Sequence, residues 1–126
     1  MKNKLTGFFF MFVVSLGAAF STWFAMQSSF IPMFISSAIS WLGYAKAHRQ
    51  FTGKLVHEKE EEISIRGANT IKRRLGLVAG LILSIVAFPV CIVGVHYSSI
   101  TLLSLGYLEF FSGYLISHYN WFGSYL

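Results

Sequence analysis

The 126-residue sequence has almost no charge outside one stretch. Residues 5–45 contain no charged side chain, and residues 75–126 contain one, Glu109. Residues 46–74 hold eight of the ten Lys and Arg residues and four of the five carboxylates. A soluble domain of this size leaves much of its surface in water and could not hide such long apolar segments. The missing charge therefore excludes a small soluble domain and predicts two membrane-embedded arms joined by a charged loop.

Cysteine and proline are also scarce. The single cysteine, Cys91, excludes an internal disulfide, and its apolar surroundings favour a small buried hydrophobic role. Of the two prolines, Pro32 fits the first turn of a helix, where its missing N–H costs nothing. Pro89 falls inside a later apolar segment and is expected to kink it.

The apolar segments are continuous and do not alternate. Hydrophobic residues make up 55% of the chain, and the mean hydropathy is +0.60. Continuous runs favour helices, because a helix satisfies its own backbone in hydrocarbon. The sequence predicts an all-α integral membrane protein of one domain with four transmembrane helices, arranged as two hairpins joined by a charged cytoplasmic loop. The predicted spans are residues 5–26, 30–47, 75–95 and 100–118, and the predicted loop is 46–74.

Basic residues next to the apolar segments set the expected orientation. Basic residues mark the cytoplasmic side of a span and contact anionic headgroups. We therefore expect an inner (plasma) membrane location with both termini cytoplasmic. The predicted lipid-headgroup contacts are Lys46, Arg49, Lys72, Arg73 and Arg74. The net charge of +5 could suggest nucleic acid, but no stacking aromatics separate these clusters, so we predict no nucleic-acid partner.

The first span has an alternative interpretation as a cleaved signal peptide. Lys2 and Lys4 precede an apolar run that reaches Gly17-Ala18-Ala19, a small-residue pattern of the kind found at cleavage sites. The apolar run continues through Phe20, Trp23 and Phe24, which favours a retained helix.

A weak internal repeat occurs at an offset of 70 residues. Five identities lie in the 21 positions from residue 28 to 48, where composition alone gives about two. Ser28-Ser29 matches Ser98-Ser99, Gly43-Tyr44 matches Gly113-Tyr114, and His48 matches His118. Duplication and coincidence are both open explanations.

Glu109 is the strongest candidate for chemistry. An ionised carboxylate at mid-bilayer costs at least about 2.5–3.5 kcal/mol, so such residues often mark function. On a helix Glu109 shares a face with Gly106, Ser112 and Gly113, and this candidate polar site suits inward packing. It is either a proton- or cation-coupled site or a structural group hydrogen-bonded to a serine such as Ser84 or Ser36.

A second pattern predicts close helix packing. Small residues recur every four positions in the third span, at Gly76, Gly80 and Ser84. Such a ridge lets a neighbouring helix approach closely.

Cofactors and enzymatic function are not predicted. His96 and His118 bracket one span and lie about 33 Å apart at 1.5 Å per residue, too far to share a metal. The sequence contains no phosphate-binding glycine loop, nucleophile elbow or carboxylate pair within a span. We therefore predict no metal, no cofactor and no catalytic residue.

Two function classes fit these features. The first is a non-enzymatic accessory or interaction factor, of immunity or exclusion type, that binds the lipid bilayer and another membrane protein or itself. The alternative is a small homo-oligomeric transporter or channel that uses Glu109.

Overall fold

The computed structural model describes residues 3–55, 70–123 and 125–126 and consists of four helices. They are α1 (Lys4–Met26), α2 (Phe30–Thr52), α3 (Ile71–His96) and α4 (Ile100–Phe122). The described residues contain no strand. The all-helical prediction is therefore confirmed, while the middle of the predicted loop, residues 56–69, lies outside the described residues.

Three of the four helices are long and apolar enough to cross a membrane. These are α1, α3 and α4. The remaining helix, α2, is also 23 residues long, like α1 and α4, but it is less apolar than they are. Serines, His48 and the basic residues Lys46 and Arg49 reduce its hydropathy. Three such helices in 126 residues identify a membrane protein.

Local capping interactions set the helix ends. Thr70, one of two candidate caps for α3, accepts a hydrogen bond from the Arg73 N–H at 3.3 Å, while Asn69 lies outside the described residues. Ser99 caps α4 in the same way through the Leu102 N–H. Gly53 and Gly123 end α2 and α4 with φ of 75° and 80°, a left-handed conformation that glycine adopts without a Cβ penalty.

Three helix ends lie outside the predicted membrane spans. α2 continues to Thr52 and α4 to Phe122, past the predicted ends of their spans at residues 47 and 118. α3 begins at Ile71, before the predicted start of its span at Leu75. A helix ends at a capping residue and can continue past hydrocarbon, so the span limits stay predictions. The first residues of the predicted loop, 46–52, belong to α2.

Both prolines and the candidate cleavage site lie inside helices. Pro32 occupies the first turn of α2, as predicted. α3 is continuous through Pro89. α1 is likewise continuous through Gly17-Ala18-Ala19, where Gly17 and Ala19 are buried.

The helices pack side by side in the order α2, α1, α4, α3. α1 contacts both α2 and α4, while α3 has its interface with α4. Contacts such as Gly7 with Phe51 and Gly17 with Ser40 show that α1 and α2 are antiparallel. Phe8 with Tyr125 and Thr22 with Tyr107 show the same for α1 and α4. Within the described residues, α2 and α3 are the two edges of the layer.

Small residues bring the backbones of α3 and α4 into contact. A Cβ added to Gly80 would lie 2.7 Å from the Gly113 carbonyl oxygen, and one added to Gly113 would lie 2.6 Å from the Ser84 nitrogen. Ser84 donates a hydrogen bond to the Phe110 carbonyl oxygen at 3.1 Å. Tight backbone approach and cross-helix hydrogen bonds are the main sources of helix association in lipid.

The two helix pairs share one geometry at the 70-residue offset. The turn residues Ser28 and Ser98 both have left-handed φ, 54° and 49°. The residue after each, Ser29 or Ser99, donates its N–H to a carbonyl five residues earlier at 2.9 Å. Interhelical contacts also match: Ser40 donates a hydrogen bond to the Val14 carbonyl oxygen, and the residues 70 positions later, Phe110 and Ser84, are joined by a bond from Ser84 to the Phe110 carbonyl oxygen. The repeat therefore extends from the five sequence identities to the turns, helix limits and packing register.

Alternating helix directions place all described basic residues at one end. This end comprises the start of α1 and α3 and the finish of α2 and α4. The basic residues there are Lys4, Lys46, Arg49, Lys54, Lys72, Arg73 and Arg74. The two short turns at the other end, residues 27–29 and 97–99, carry no Lys, Arg, Asp or Glu. The charge asymmetry seen in the sequence is thus an asymmetry of the folded layer.

The backbone contact at Gly113 predicts the effect of one added methyl group. Gly113→Ala should lower the free energy of unfolding by about 1–3 kcal/mol, because the new Cβ meets backbone atoms that cannot move aside. The gain in helix propensity, about 1 kcal/mol, opposes this loss but is smaller. Unfolding in detergent micelles measures the effect, with Ala79→Leu on the exposed surface of α3 as the control. An unchanged or higher stability of Gly113→Ala would show that this contact is not tight.

Candidate functional site

The candidate site is an open groove lined by α1, α2 and α4. It has a volume of about 500 Å³. Its lining consists of hydroxyl, aromatic and small aliphatic side chains: Val14, Ala18, Ser21, Thr22, Ser37, Ser40, Trp41, Tyr44, Tyr107 and Phe111. The lining contains no Lys, Arg, His, Asp or Glu. We call this surface the hydroxyl groove.

Hydrogen bonds hold the hydroxyl groups in place. Ser21 and Ser37 join α1 to α2 at 2.6 Å, and Thr22 and Tyr107 join α1 to α4 at 2.7 Å. Ser40 donates to the Val14 carbonyl oxygen at 2.9 Å. The groove is therefore held by polar bonds across both of its helix interfaces.

The direction of these bonds determines what the groove offers a ligand. Thr22 donates to the Ala18 carbonyl oxygen at 3.0 Å, so its oxygen accepts the Tyr107 proton. Ser37 donates to the Met33 carbonyl oxygen at 2.9 Å, so it accepts the Ser21 proton. The protons of all four hydroxyls are thus used within the protein. What these four side chains offer a ligand is oxygen lone pairs, which accept hydrogen bonds, while the indole N–H of Trp41 in the same lining is a donor.

Aromatic rings form the sides of the groove. Trp41 and Tyr44 stack on α2 with centroids 6.0 Å apart, and Tyr107 and Phe111 stack on α4 at 6.5 Å. Rigid rings beside fixed acceptors provide a surface that packs against apolar groups and also orients donors. This arrangement suits a largely apolar ligand or helix that carries a few hydrogen-bond donors.

A smaller hollow lies on the same side of the layer. Its volume is about 180 Å³, and it lies between α3 and α4. It is lined by Ala87, Phe88, Cys91, Tyr107 and Phe110. Because Tyr107 lines both hollows, they open on one concave face, which extends from α2 to α3.

The predicted polar set around Glu109 is divided by the structure. Gly106 and Gly113 are buried against α3, where a Cβ on Gly106 would lie 2.5 Å from the Cys91 sulfur. Ser112 is exposed, and Glu109 is half-buried. At 100° per residue, Glu109 lies roughly 200° around α4 from Tyr107. The carboxylate is therefore on the convex side of the layer and does not line the hydroxyl groove.

Glu109 has no hydrogen bond to another described residue. The two serines considered as partners are engaged elsewhere or distant: Ser84 donates to the Phe110 carbonyl, and Ser36 faces α1 near Gly17. Cys91 of α3 is a neighbour of Glu109. Among the residues that the structure describes, no ion pair joins Glu109 to a Lys, Arg or His side chain.

The predicted ridge on α3 is covered by α4. Gly76 faces the Asn120 side chain, Gly80 faces Ser117, and Ser84 bonds the Phe110 carbonyl oxygen. These side chains are used within the chain. The ridge is therefore not a free surface for a partner.

The remaining candidates lie at the basic end. Lys46, Arg49, Lys72 and Arg74 are exposed, and Arg73 is half-buried. His48 is buried, with its Nδ1 3.2 Å from the Lys54 carbonyl oxygen at the end of α2. Within residues 3–55, 70–123 and 125–126, no three His, Cys, Asp or Glu side chains form a metal-binding group.

Comparison with known proteins gives no relative. The chain matches no protein-family model, no curated protein and no solved structure. The functional argument therefore depends on the geometry of the chain itself.

Proposed function

We propose that this protein is a non-enzymatic accessory or interaction factor of the inner membrane, of immunity or exclusion type, that binds another membrane protein. The hydroxyl groove is the binding surface, and its ligand is a transmembrane helix of the partner. The observation that carries this proposal is a groove at bilayer depth with fixed acceptors, aromatic sides and no charged lining. Such a surface is poorly matched by lipid chains, which have no donors to offer.

We further propose that all four helices span the membrane as two hairpins. The helix α2 has the same length as α1 and packs along it in antiparallel register, so it would cross the same bilayer. Its serines are paired on α1, as with Ser37 and Ser40, which lowers the cost of placing them in hydrocarbon. The common basic end is then cytoplasmic, together with both termini.

The rival class is a homo-oligomeric transporter or channel that uses Glu109. A coupling carboxylate must face the path of the transported species. Glu109 lies on the convex side of α4, away from the groove, and its thiol neighbour Cys91 is a poor proton or cation relay. These placements favour the interaction factor.

The proposed topology predicts where reporter proteins will be found. Fusions after Lys54 and after Leu126 should report a cytoplasmic location, and fusions at Ser28 and Ser98 should report the outside. The two fusions that flank α2, at Ser28 and Lys54, test the least apolar helix directly. A shared location for these two would show that α2 does not span.

Site-specific photocrosslinking tests the proposed function. A photoreactive phenylalanine analogue in place of Tyr44, which lines the hydroxyl groove, should form an adduct with another membrane protein in native membranes. The attached peptide should map to a transmembrane helix of that protein. The same analogue in place of Phe20, which lies outside the groove, should not form it. Adducts only with lipid, or equal adducts from both positions, would contradict the proposal.

Substitution of Glu109 separates the two classes. Glu109→Gln keeps the shape and a hydrogen-bond donor, so stability should change by less than about 1 kcal/mol. The Tyr44 adduct should persist, since Glu109 does not line the groove. Glu109→Leu removes the polar group and should leave membrane abundance normal or higher. Normal abundance of Glu109→Gln with complete loss of function would instead support the transporter, because glutamine cannot cycle a proton.

A further inference from the structure

The two edge helices carry surfaces that correspond to the internal α1·α4 interface. The 70-residue offset relates α1 to α3 and α2 to α4, with equal turns, helix ends and packing register. If α1 is replaced by its equivalent α3, and α4 by its equivalent α2, the α1·α4 contact becomes a contact of α3 with α2. Within one chain this contact is not formed, because α2 and α3 lie at opposite edges of the layer.

The equivalent surface on α3 is apolar and exposed. On α1, Met11 and Ser15 face α4 and are 3% and 1% exposed. Their equivalents on α3 are Leu81 and Ile85, which are 48% and 64% exposed. Thr22, which bonds Tyr107 on α4, corresponds to the exposed Ile92.

The α2 surface shows the same relation to α4. Leu108, Phe111 and Leu115 of α4 line the seam with α1. Their equivalents on α2 are Ala38, Trp41 and Ala45, of which Ala38 and Trp41 are exposed. The α2 edge thus presents one large ring flanked by two alanines, and the alanines leave room for branched residues of α3.

We infer that a second copy of the chain docks on these edges, with α3 of one copy against α2 of the other. Apolar exposure alone would not support this, since lipid covers apolar helices without penalty. The support comes from the internal interface, which shows that these two helix types already pack in this register. The α2 edge shares Ser37 and Trp41 with the hydroxyl groove, so the inference is tested at the α3·α2 contact itself and not through the occupant of the groove.

Helix geometry indicates that two copies close the assembly. At 100° per residue, the face of α1 that contacts α2 and the face that contacts α4 are about 110° apart around the α1 axis. On α4, the faces that contact α1 and α3 are about 145° apart. The sum of these two angles is about 255°. Two interior angles sum to 270° in a regular ring of eight helices and to 180° in a ring of four, so the sum fits the ring of eight. A two-fold axis along the membrane normal would then form both α3·α2 contacts at once.

The concave faces of both copies would surround a common centre. With interaxial distances of about 8–10 Å, the helix axes of an eight-membered ring lie about 12 Å from its axis. The space left inside is about as wide as one helix. Tyr107 and the hydroxyl groove of each copy would face this space.

Thiol crosslinking tests the proposed contact. The internal pair Thr22 and Tyr107, which meet at the end of the tyrosine side chain, corresponds to Ile92 on α3 and Ser37 on α2. In a Cys91→Ala background, two differently tagged chains carrying Ile92→Cys and Ser37→Cys are co-expressed and treated in native membranes with a bifunctional thiol reagent that spans the length of a tyrosine side chain. We expect a product with twice the monomer mass that carries both tags. Thr22→Cys with Tyr107→Cys in one chain is the positive control and should crosslink at monomer mass.

A matched pair controls for random collision. Val86→Cys on α3 and Ile39→Cys on α2 are each 48% exposed but lie on the convex side, so they should give no product. Equal products from both pairs, or none from Ile92 and Ser37 when the positive control reacts, would overturn the inference. A chain carrying both Ile92→Cys and Ser37→Cys should stop at the dimer. A ladder of larger products would overturn the closed ring. The Tyr44 adduct tests partner binding in the hydroxyl groove in a separate experiment. Either proposal, partner binding or the α3·α2 contact, can therefore fail while the other holds.

Discussion

The structure depends on close contact between the backbones of antiparallel helices. At Gly80 and Gly113 the two helices approach until no room is left for a Cβ, and Gly17 reaches the backbone near Ser40 in the other pair. In lipid no hydrophobic force drives helices together, so contact area and cross-helix hydrogen bonds must do so. Each pair is therefore defined by where its small residues stand. The equal register of the two pairs follows from their equivalent spacing.

The polar groups of the chain follow from the same constraint. A hydroxyl in hydrocarbon must find a partner, and here serines and threonines find carbonyls or other hydroxyls across the seams. This satisfies the groups but uses their protons, so the hydroxyls of Ser21, Thr22, Ser37 and Tyr107 offer a ligand only acceptors. Because α1 has neighbours on two sides less than a straight angle apart, the layer is curved. The concave face and its chemistry are thus consequences of how the seams are bonded.

Much of the fold could be predicted from the sequence, because its signals are local. The four apolar segments, both serine turns and the Thr70 cap can be identified in runs of a few residues. The ends of α2 and α4 could not be identified from charge, since Gly53 and Gly123 determine them through backbone conformation. The spacing of Gly76, Gly80 and Ser84 indicated close packing but not which helix would fill it.

The hydroxyl groove could not be predicted, because its members are distant in sequence. Thr22 and Tyr107 are 85 residues apart, and no pattern in either helix indicates the other. The serines of α2 were the available signal, since Ser37 and Ser40 stand on the side that faces α1 and the groove. Glu109 is the one charged residue in residues 75–126, but this rarity does not indicate which side of α4 it occupies. Only the packing of α4 between α1 and α3 determines that.

In the proposed four-span topology, the modest apolarity of α2 has a consequence for biosynthesis. A segment that is too polar to partition alone would have to enter the bilayer with a neighbour that satisfies its hydroxyl groups. The turn at residues 27–29 is short, so α1 and α2 would leave the insertion machinery as one unit, with Ser37 and Ser40 bonded to α1. The order of translation would then matter, because α1 is complete before α2 emerges from the ribosome. The first helix would assist the insertion of the second.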